Sequence, residues 1–226
     1  MERFLNDDLT KQVKDIFADL QDPVEVIYFT SQDGSQYMEE TRQLLGEVTS
    51  LSDVFTFSVY DLDENSELAR QYKIDKAPGF VILSKKGDQL TDYGIRYYGI
   101  PAGHEFTSLI NDLIMVSSHN SALSDESRKF LQGLTNPVLL QVFVTPTCPY
   151  CPRAVVLAHQ MALESPLVEA EMVESMEFFD LANQFGVSGV PHTVINSGAG
   201  NIIGAAPEDT LVAEIQKTIL EPANPQ

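Results

Sequence analysis

Apolar positions along the chain recur with two periods, and the switches between them lay out the elements. Between residues 8 and 20, Leu9, Val13, Ile16, Phe17 and Leu20 form one stripe of a predicted helix. The run 24–30 is β-branched and aromatic and predicts a strand, followed by a helix over 36–48 and a strand over 55–61. A short helix over 66–72, strands near 80–83 and 93–98, and a helix over 104–115 complete a first set. Ser117-Ser118-His119-Asn120-Ser121 then reads as a polar junction. The second set repeats the order: helix 124–134, strand 138–144, helix 151–163, strand 168–173, helix 178–185, strands near 193–195 and 201–203, and helix 209–220. The fold class is therefore α/β, with each half a mixed central sheet flanked by helices on both faces.

The halves repeat in sequence as well as in order. Residues 67–78 (ELARQYKIDKAP) align without a gap on residues 180–191 (DLANQFGVSGVP), an offset of 191 − 78 = 113. Near each end Ile110 and Ile114 match Ile215 and Ile219 at an offset of 105, so the first half carries a longer stretch after its proline, around Lys85-Lys86-Gly87-Asp88, a hairpin composition. The expected boundaries are 1–118 and 119–226.

Chemistry is concentrated in the second half. Cys148-Pro149-Tyr150-Cys151 holds the only two cysteines of the chain. A strand before it, a tight Thr145-Pro146-Thr147 loop and an apolar helix after it form the setting of a redox dithiol. Thr147 is placed to cap the helix and Pro149 to occupy its first turn. Near a helix start, amide N–H groups stabilise the thiolate of Cys148, and Arg153 is a candidate to assist. A structural zinc site needs about four ligands, and no second C-x-x-C or H-x-x-x-H completes one. Carried back by 113, the repeat puts Ser35 and Met38 opposite Cys148 and Cys151, so the first half is expected to be redox-inactive.

These features together resemble the archaeal and bacterial protein disulfide oxidoreductases, also called glutaredoxin-like proteins, built from two tandem thioredoxin folds. The similar stretches are Phe143 to Pro152, Gly99-Ile100-Pro101-Ala102-Gly103-His104-Glu105-Phe106 and Met172-Val173-Glu174. Members commonly carry a C-x-x-C in each half, and this chain departs from them at Ser35 and Met38. The resemblance implies thiol–disulfide exchange with protein substrates: Cys148 attacks, Cys151 resolves, and Pro191 is the cis-proline beside the disulfide. Val190, Pro149 and Tyr150 become candidate substrate contacts. Thioredoxins hold a buried acid on the strand before the motif, where this chain offers only Gln141, so Glu171 and Glu174 are the candidate proton acceptors for Cys151. His159, two turns beyond Cys151, is too distant to serve as its base, and His192 reads as a strand residue. The only cofactor implied is the Cys148–Cys151 disulfide. A single active dithiol with an inactive partner half also resembles the N-terminal module of alkyl hydroperoxide reductase flavoproteins, which implies relay to a peroxiredoxin as the alternative. The partners implied are protein disulfides or dithiols, a thioredoxin reductase-like flavoprotein, or a peroxiredoxin.

Composition narrows the surroundings. A net charge of −19, with 21 acids and 10 bases in residues 1–118 and 12 acids and 4 bases in 119–226, disfavours nucleic acid and anionic membranes. No apolar run approaches the ~20 residues of a membrane span. Met1 to Asp8 lacks the basic start and apolar stretch of a secretory signal, so a cytoplasmic location is expected. There a C-x-x-C is catalytic more often than structural.

Overall fold

The computed structural model describes residues 3–20, 22–32 and 37–220. Its elements run α1 (Asp7–Phe17), β1 (Val24–Thr30), α2 (Met38–Thr49), β2 (Phe55–Asp61), α3 (Ser66–Gln71), β3 (Gly79–Lys86), β4 (Gln89–Tyr98) and α4 (Phe106–Ser118). There follow α5 (Asp125–Gln132), β5 (Val138–Val144), α6 (Cys151–Glu164), β6 (Val168–Glu174), α7 (Phe179–Gln184), β7 (His192–Ile195), β8 (Gly200–Ile203) and α8 (Glu208–Leu220). A 3₁₀ turn, Gly103–Glu105, leads into α4.

All eight strands form one sheet, in the order β2-β1-β3-β4-β6-β5-β7-β8. Each set of four has the same internal order. Its first two strands pair in parallel, and the third and fourth add antiparallel. The two sets meet where β4 lies parallel to β6, Ile95 opposite Ala170 through Tyr98 opposite Val173.

Alternation along the strands divides the core in two. Val24, Val26 and Tyr28 of β1 face one side, as do Leu140, Val142 and Val144 of β5 and Ala170 and Met172 of β6. They pack against residues of α1, α2, α4, α5, α6 and α8. Ile27, Phe29, Phe143 and Val173 face the other side and pack against residues on and just after α3 and α7. Both cysteines lie on the first side. No helix of the described residues is long and apolar enough to cross a membrane.

Several local expectations are corrected. Helix α1 ends at Phe17, and Ile16 is 48% exposed because the buried stripe narrows to Val13 and Phe17, with Phe17 set edge-on to Phe55. The polar junction is half helix: Ser117 and Ser118 finish α4. Ser117 is buried and donates to the carbonyl of Asp22, while Ser121 is buried and donates to Glu164. Strand β4 begins at Gln89, four residues early, because the hairpin at Gly87 pairs polar Gln89 and Thr91 with Lys86 and Ser84. In the repeat, α2 begins at Met38 and α6 at Cys151, while β1 and β5 begin at Val24 and Val138. The loop between strand and helix is thus one residue longer in the first half. Ser35 lies outside the described residues.

The seam between the sets needs close backbone approach. Gly94 has φ +84°, and a Cβ there would stand 2.5 Å from the carbonyl oxygen of Val168 at the start of β6. Gly94→Ala should therefore cost about 2 kcal/mol or more, from left-handed strain and lost contact across the seam. The midpoint of urea unfolding measures it, and an unchanged midpoint would show the seam to be looser than the geometry requires.

Candidate active site

The motif sits where β5 ends. Cys148 N–H donates to the carbonyl of Thr145 at 3.1 Å, closing the turn, and Cys151 N–H donates to Cys148 Sγ at 3.1 Å. The two sulfurs form a disulfide, with Cα atoms 5.5 Å apart. Cys148 is 8% exposed and Cys151 is fully buried, so an attacking partner reaches Cys148. The amide that points at Cys148 Sγ would stabilise a thiolate there, as a helix start does for any anion.

Helix α6 starts at Cys151 as expected, but its first turn is built differently from the sequence expectation. Tyr150 is the N-cap residue and makes no side-chain cap, so Thr147 does not cap the helix. The first-turn proline is Pro152, and Pro149 lies in the loop before it. The reason is that the helix starts at Cys151, which turns both Thr147 and Pro149 outward, exposed to solvent. Tyr150 is 65% exposed beside the disulfide, and Arg153 is also exposed. The Val190–Pro191 peptide is cis, as is Ala77–Pro78 at the same repeat position. Val190 is half-buried against the core that holds both cysteines.

The two candidate proton acceptors separate by face. Glu171 pairs with Gln141, whose neighbours Leu140 and Val142 face the cysteines, so Gln141 and Glu171 face the opposite side of the sheet. Glu171 is buried there, accepts from Gln141 Nε2 at 2.8 Å and lies 3.9 Å from Lys76 Nζ. Burial pushes it upward against the lowering influence of Lys76. It is not an acceptor for Cys151, because the sheet stands between them. Glu174 pairs with Val144 and shares the sulfur side. Its Oε2 accepts from the amides of Met176 (3.0 Å) and Glu177 (2.6 Å), holding the turn after β6. Burial raises it, and those two amides oppose the rise. His192, next to Val194 in phase, also faces away from the sulfurs, and burial lowers its pKa.

A carboxyl group supplied by the first half occupies the sulfur side. The 3₁₀ turn Gly103–Glu105 rests on the loop that leads to the motif: His104 N–H donates to the carbonyl of Pro146 at 2.9 Å. Gly103 (φ +61°) comes so near that a Cβ would collide with the same oxygen. The turn and α4 both pack on α6. Glu105 is 1% exposed; Ser108 Oγ donates to its Oε2 at 2.5 Å, and its Oε1 has no partner among the described residues. Burial, with the negative charge of Asp112 one further turn along, pushes Glu105 up to about 7, partly offset by the Ser108 hydrogen bond. Asp112 continues the stripe and meets His159 of α6, Nδ1 to Oδ2 2.5 Å, which fixes the stripe's direction toward α6.

Sequence reasoning passed over Glu105. It stands 43 residues before Cys148 and in the other half, and no local motif ties the two together. The available signal is the spacing of Glu105, Ser108 and Asp112, a polar stripe along a helix otherwise filled by Leu109, Ile110 and Leu113.

Fold and site together define a thioredoxin-fold oxidoreductase with one dithiol in the second of two repeated halves. Comparison with known proteins narrows this. Residues 138–217 match the thioredoxin domain family, and residues 8–96 match a domain of unknown function (DUF7088). The chain is similar to a protein disulfide oxidoreductase from Aeropyrum pernix, with a TM-score of 0.87 and 27% identity over 97% of this chain and 96% of that one. It is also similar to the NTD_N/C domain of alkylhydroperoxide reductase AhpF from Enterococcus faecalis, with a TM-score of 0.84 and 28% identity over 93% and 99%. The corresponding alkyl hydroperoxide reductase AhpF of Pseudomonas putida is 29% identical over 196 residues, 87% of this chain. The chain spans about a third of that relative's length, 34%.

A buried acid with a raised pKa makes stability depend on pH. Between 4.5 and about 7 the folded chain keeps the Glu105 proton that the unfolded chain has lost, so this group's contribution falls as pH rises through that window. The total is about 3 kcal/mol. Glu105→Gln should remove that slope. The difference in urea midpoint between pH 5 and pH 8, variant against parent, checks it; parallel pH dependences would contradict the assignment.

Proposed function

We propose that the chain is a thiol–disulfide oxidoreductase acting on protein disulfides through Cys148 and Cys151. The observation that carries this reading is the asymmetry of the pair: a reachable Cys148 hydrogen-bonded by the first amide of α6, and a buried Cys151 behind it. In the reducing direction the Cys148 thiolate attacks a substrate disulfide, forming a mixed disulfide and releasing one substrate thiolate. Cys151 then gives its proton to ionised Glu105 and attacks Cys148 Sγ. The substrate's second sulfur leaves, and two electrons have passed from the dithiol to the substrate. Reversed, the same steps oxidise a substrate dithiol, with protonated Glu105 supplying the proton to Cys151 as it leaves. An acid that titrates near neutrality serves both directions. No cofactor beyond the disulfide is required by this scheme.

On this reading Pro191, Val190, Pro149 and Tyr150 form the substrate ledge, with Pro191 buried, Val190 half-buried, and Pro149 and Tyr150 exposed. The first half contributes the proton acceptor, which gives it a chemical part beyond docking or shielding. Its own equivalent of Cys151 is Met38, whose thioether accepts from Ser31 N–H at 3.1 Å and forms no disulfide. The acidic surface and the dithiol both suit a reducing compartment such as the cytoplasm, with no nucleic acid or membrane as partner.

A second reading is supported by the similarity to AhpF, which runs through both halves: a relay that receives electrons from a thioredoxin reductase-like flavoprotein and passes them to a peroxiredoxin.

Reduction of insulin by dithiothreitol tests the chemistry. Cys148→Ser should lower the catalysed rate to background. Glu105→Gln should slow it by about 100-fold and abolish its rise through pH about 7. Equal activity of Cys148→Ser would discard the oxidoreductase reading. Exchange with a peroxiredoxin disulfide that outruns insulin by about 100-fold or more would select the relay, since a tenfold rate difference is about 1.4 kcal/mol of transition-state preference. A reduction potential near thioredoxin's, about −270 mV, accords with a reductase or relay, and one near that of DsbA, about −120 mV, with an oxidase.

A further inference from the structure

Beneath α6 lies a buried polar cluster that thiol exchange, as described, does not use. Asp112 and His159 are both fully buried. A single oxygen, Asp112 Oδ2, is met by His159 Nδ1 at 2.5 Å and accepts a hydrogen bond from the hydroxyl of Tyr97. Tyr97 comes from β4, Asp112 from α4 and His159 from α6. Two elements of the first half thus close on the helix that carries the cysteines. The Tyr97 ring is fixed independently, stacked on Phe80 with centroids 4.6 Å apart and planes 6° apart.

Tyr97 Oη and His159 Nδ1 converge on this one oxygen, while Asp112 Oδ1 and His159 Nε2 are buried with no partner among the described residues. Burial and the adjacent Asp112 keep Tyr97 far above its ordinary pKa, so it stays a donor. Glu105 and Asp112 lie on one helical stripe with Ser108 between them. A negative charge at Asp112 opposes a second one at Glu105, because like charges resist ionising together. The titratable groups electrostatically coupled to Glu105 are Asp112 on α4 and Tyr97 on β4.

We propose that Asp112, hydrogen-bonded to Tyr97 and His159, is a positioning residue that sets the pH at which Glu105 exchanges its proton with Cys151. The inference rests on the reading of Glu105 as proton acceptor. It makes the pH response of the dithiol a property of the junction between the halves, because three groups of one half and one of the other must meet to create it. His159 thereby has a part in the chemistry although it is no base for either sulfur.

The test uses the reduced full-length chain and the aryl disulfide 5,5′-dithiobis(2-nitrobenzoate), followed by stopped flow. Cys148 thiolate displaces a first aryl thiolate and forms a mixed disulfide. Cys151, its proton passed to Glu105, then attacks Cys148 Sγ and displaces a second aryl thiolate. The second phase reports the Glu105 step and should rise through a pH midpoint. Asp112→Asn should move that midpoint down by about one pH unit, the scale of one nearby buried charge. Tyr97→Phe keeps the stacked ring and strips one donor, so it should move the midpoint the same way by less. It also serves where Asp112→Asn does not fold. Midpoints that stay in place in the folded variants, with the second phase slowed equally at every pH, would overturn the inference and leave the cluster as packing. If Glu105→Gln leaves the rise unaltered, Glu105 is not the acceptor and the inference falls with that reading. If Glu105→Gln abolishes the rise while Asp112→Asn leaves its midpoint unmoved, the acceptor stands and the inference alone fails.

Discussion

The parallel register of β4 against β6 is the constraint on which the rest depends. It turns two four-stranded sets into one sheet, Ile95 opposite Ala170 through Tyr98 opposite Val173. The backbone beyond β4 is then carried to the mouth of the other half. The chain leaves Tyr98, turns through Gly99 and Gly103, and settles on Pro146, two residues before Cys148. Had the register slipped by one residue, α4 and α6 would have fallen on opposite faces of the sheet and Asp112 would have lost His159. The polar stripe of α4 would no longer meet α6. Site and seam are one piece of geometry.

That arrangement explains how a repeat can lose its chemistry in one half and remain useful. An active thioredoxin-type half needs a thiol pair, a peptide-binding ledge and a proton acceptor. On the proposed reading the second half supplies the first two; its sulfur-side carboxyl, Glu174, is tied to the turn after β6, and at the cross-strand pair beneath its motif it has Val142 and Met172. Both side chains are apolar and fully buried, so neither can take a proton. The first half has no thiols at its own helix start, where Met38 stands, yet it holds a carboxyl group buried among the residues that pack on α6. Each half lacks what the other provides. Such a division resists separation, because removing the first half would take away the proposed acid and expose the edge of β6.

Much of this was legible in the sequence, for identifiable reasons. Strands 24–30, 55–61 and 138–144 appear at the predicted residues because each is rich in β-branched and aromatic residues and ends at a turn. The repeat and the C-x-x-C are local patterns, and local patterns survive translation into structure. The misreadings concern features that depend on partners distant in sequence. Ile16 fits a helical stripe but looks outward, since the core beside α1 is filled by Phe17 on Phe55. Ser117 and Ser121 read as a solvated linker but are buried, each with a partner far along the chain. Glu171 and Glu174, three residues apart, are equivalent as sequence, and the two-residue period of a strand sends them to opposite faces.

Glu105 is the instructive case. A buried glutamate costs free energy whenever it ionises, and a core built for stability alone would hold a leucine there. The chain instead keeps three polar side chains on a stripe running from the 3₁₀ turn along α4, and partners one oxygen of each carboxyl group. Ser108 serves Glu105, while Tyr97 and His159 serve Asp112. A helix that merely docked one half on the other would need none of these groups, since Leu109, Ile110 and Leu113 already supply the apolar contact. Polar groups kept at a cost, in the layer that holds two sulfurs whose exchange requires a proton to move, point to proton traffic as the reason they are there. On the proposed reading, the tandem fold brings an acid of one half into the layer that holds a dithiol whose own strand carries none.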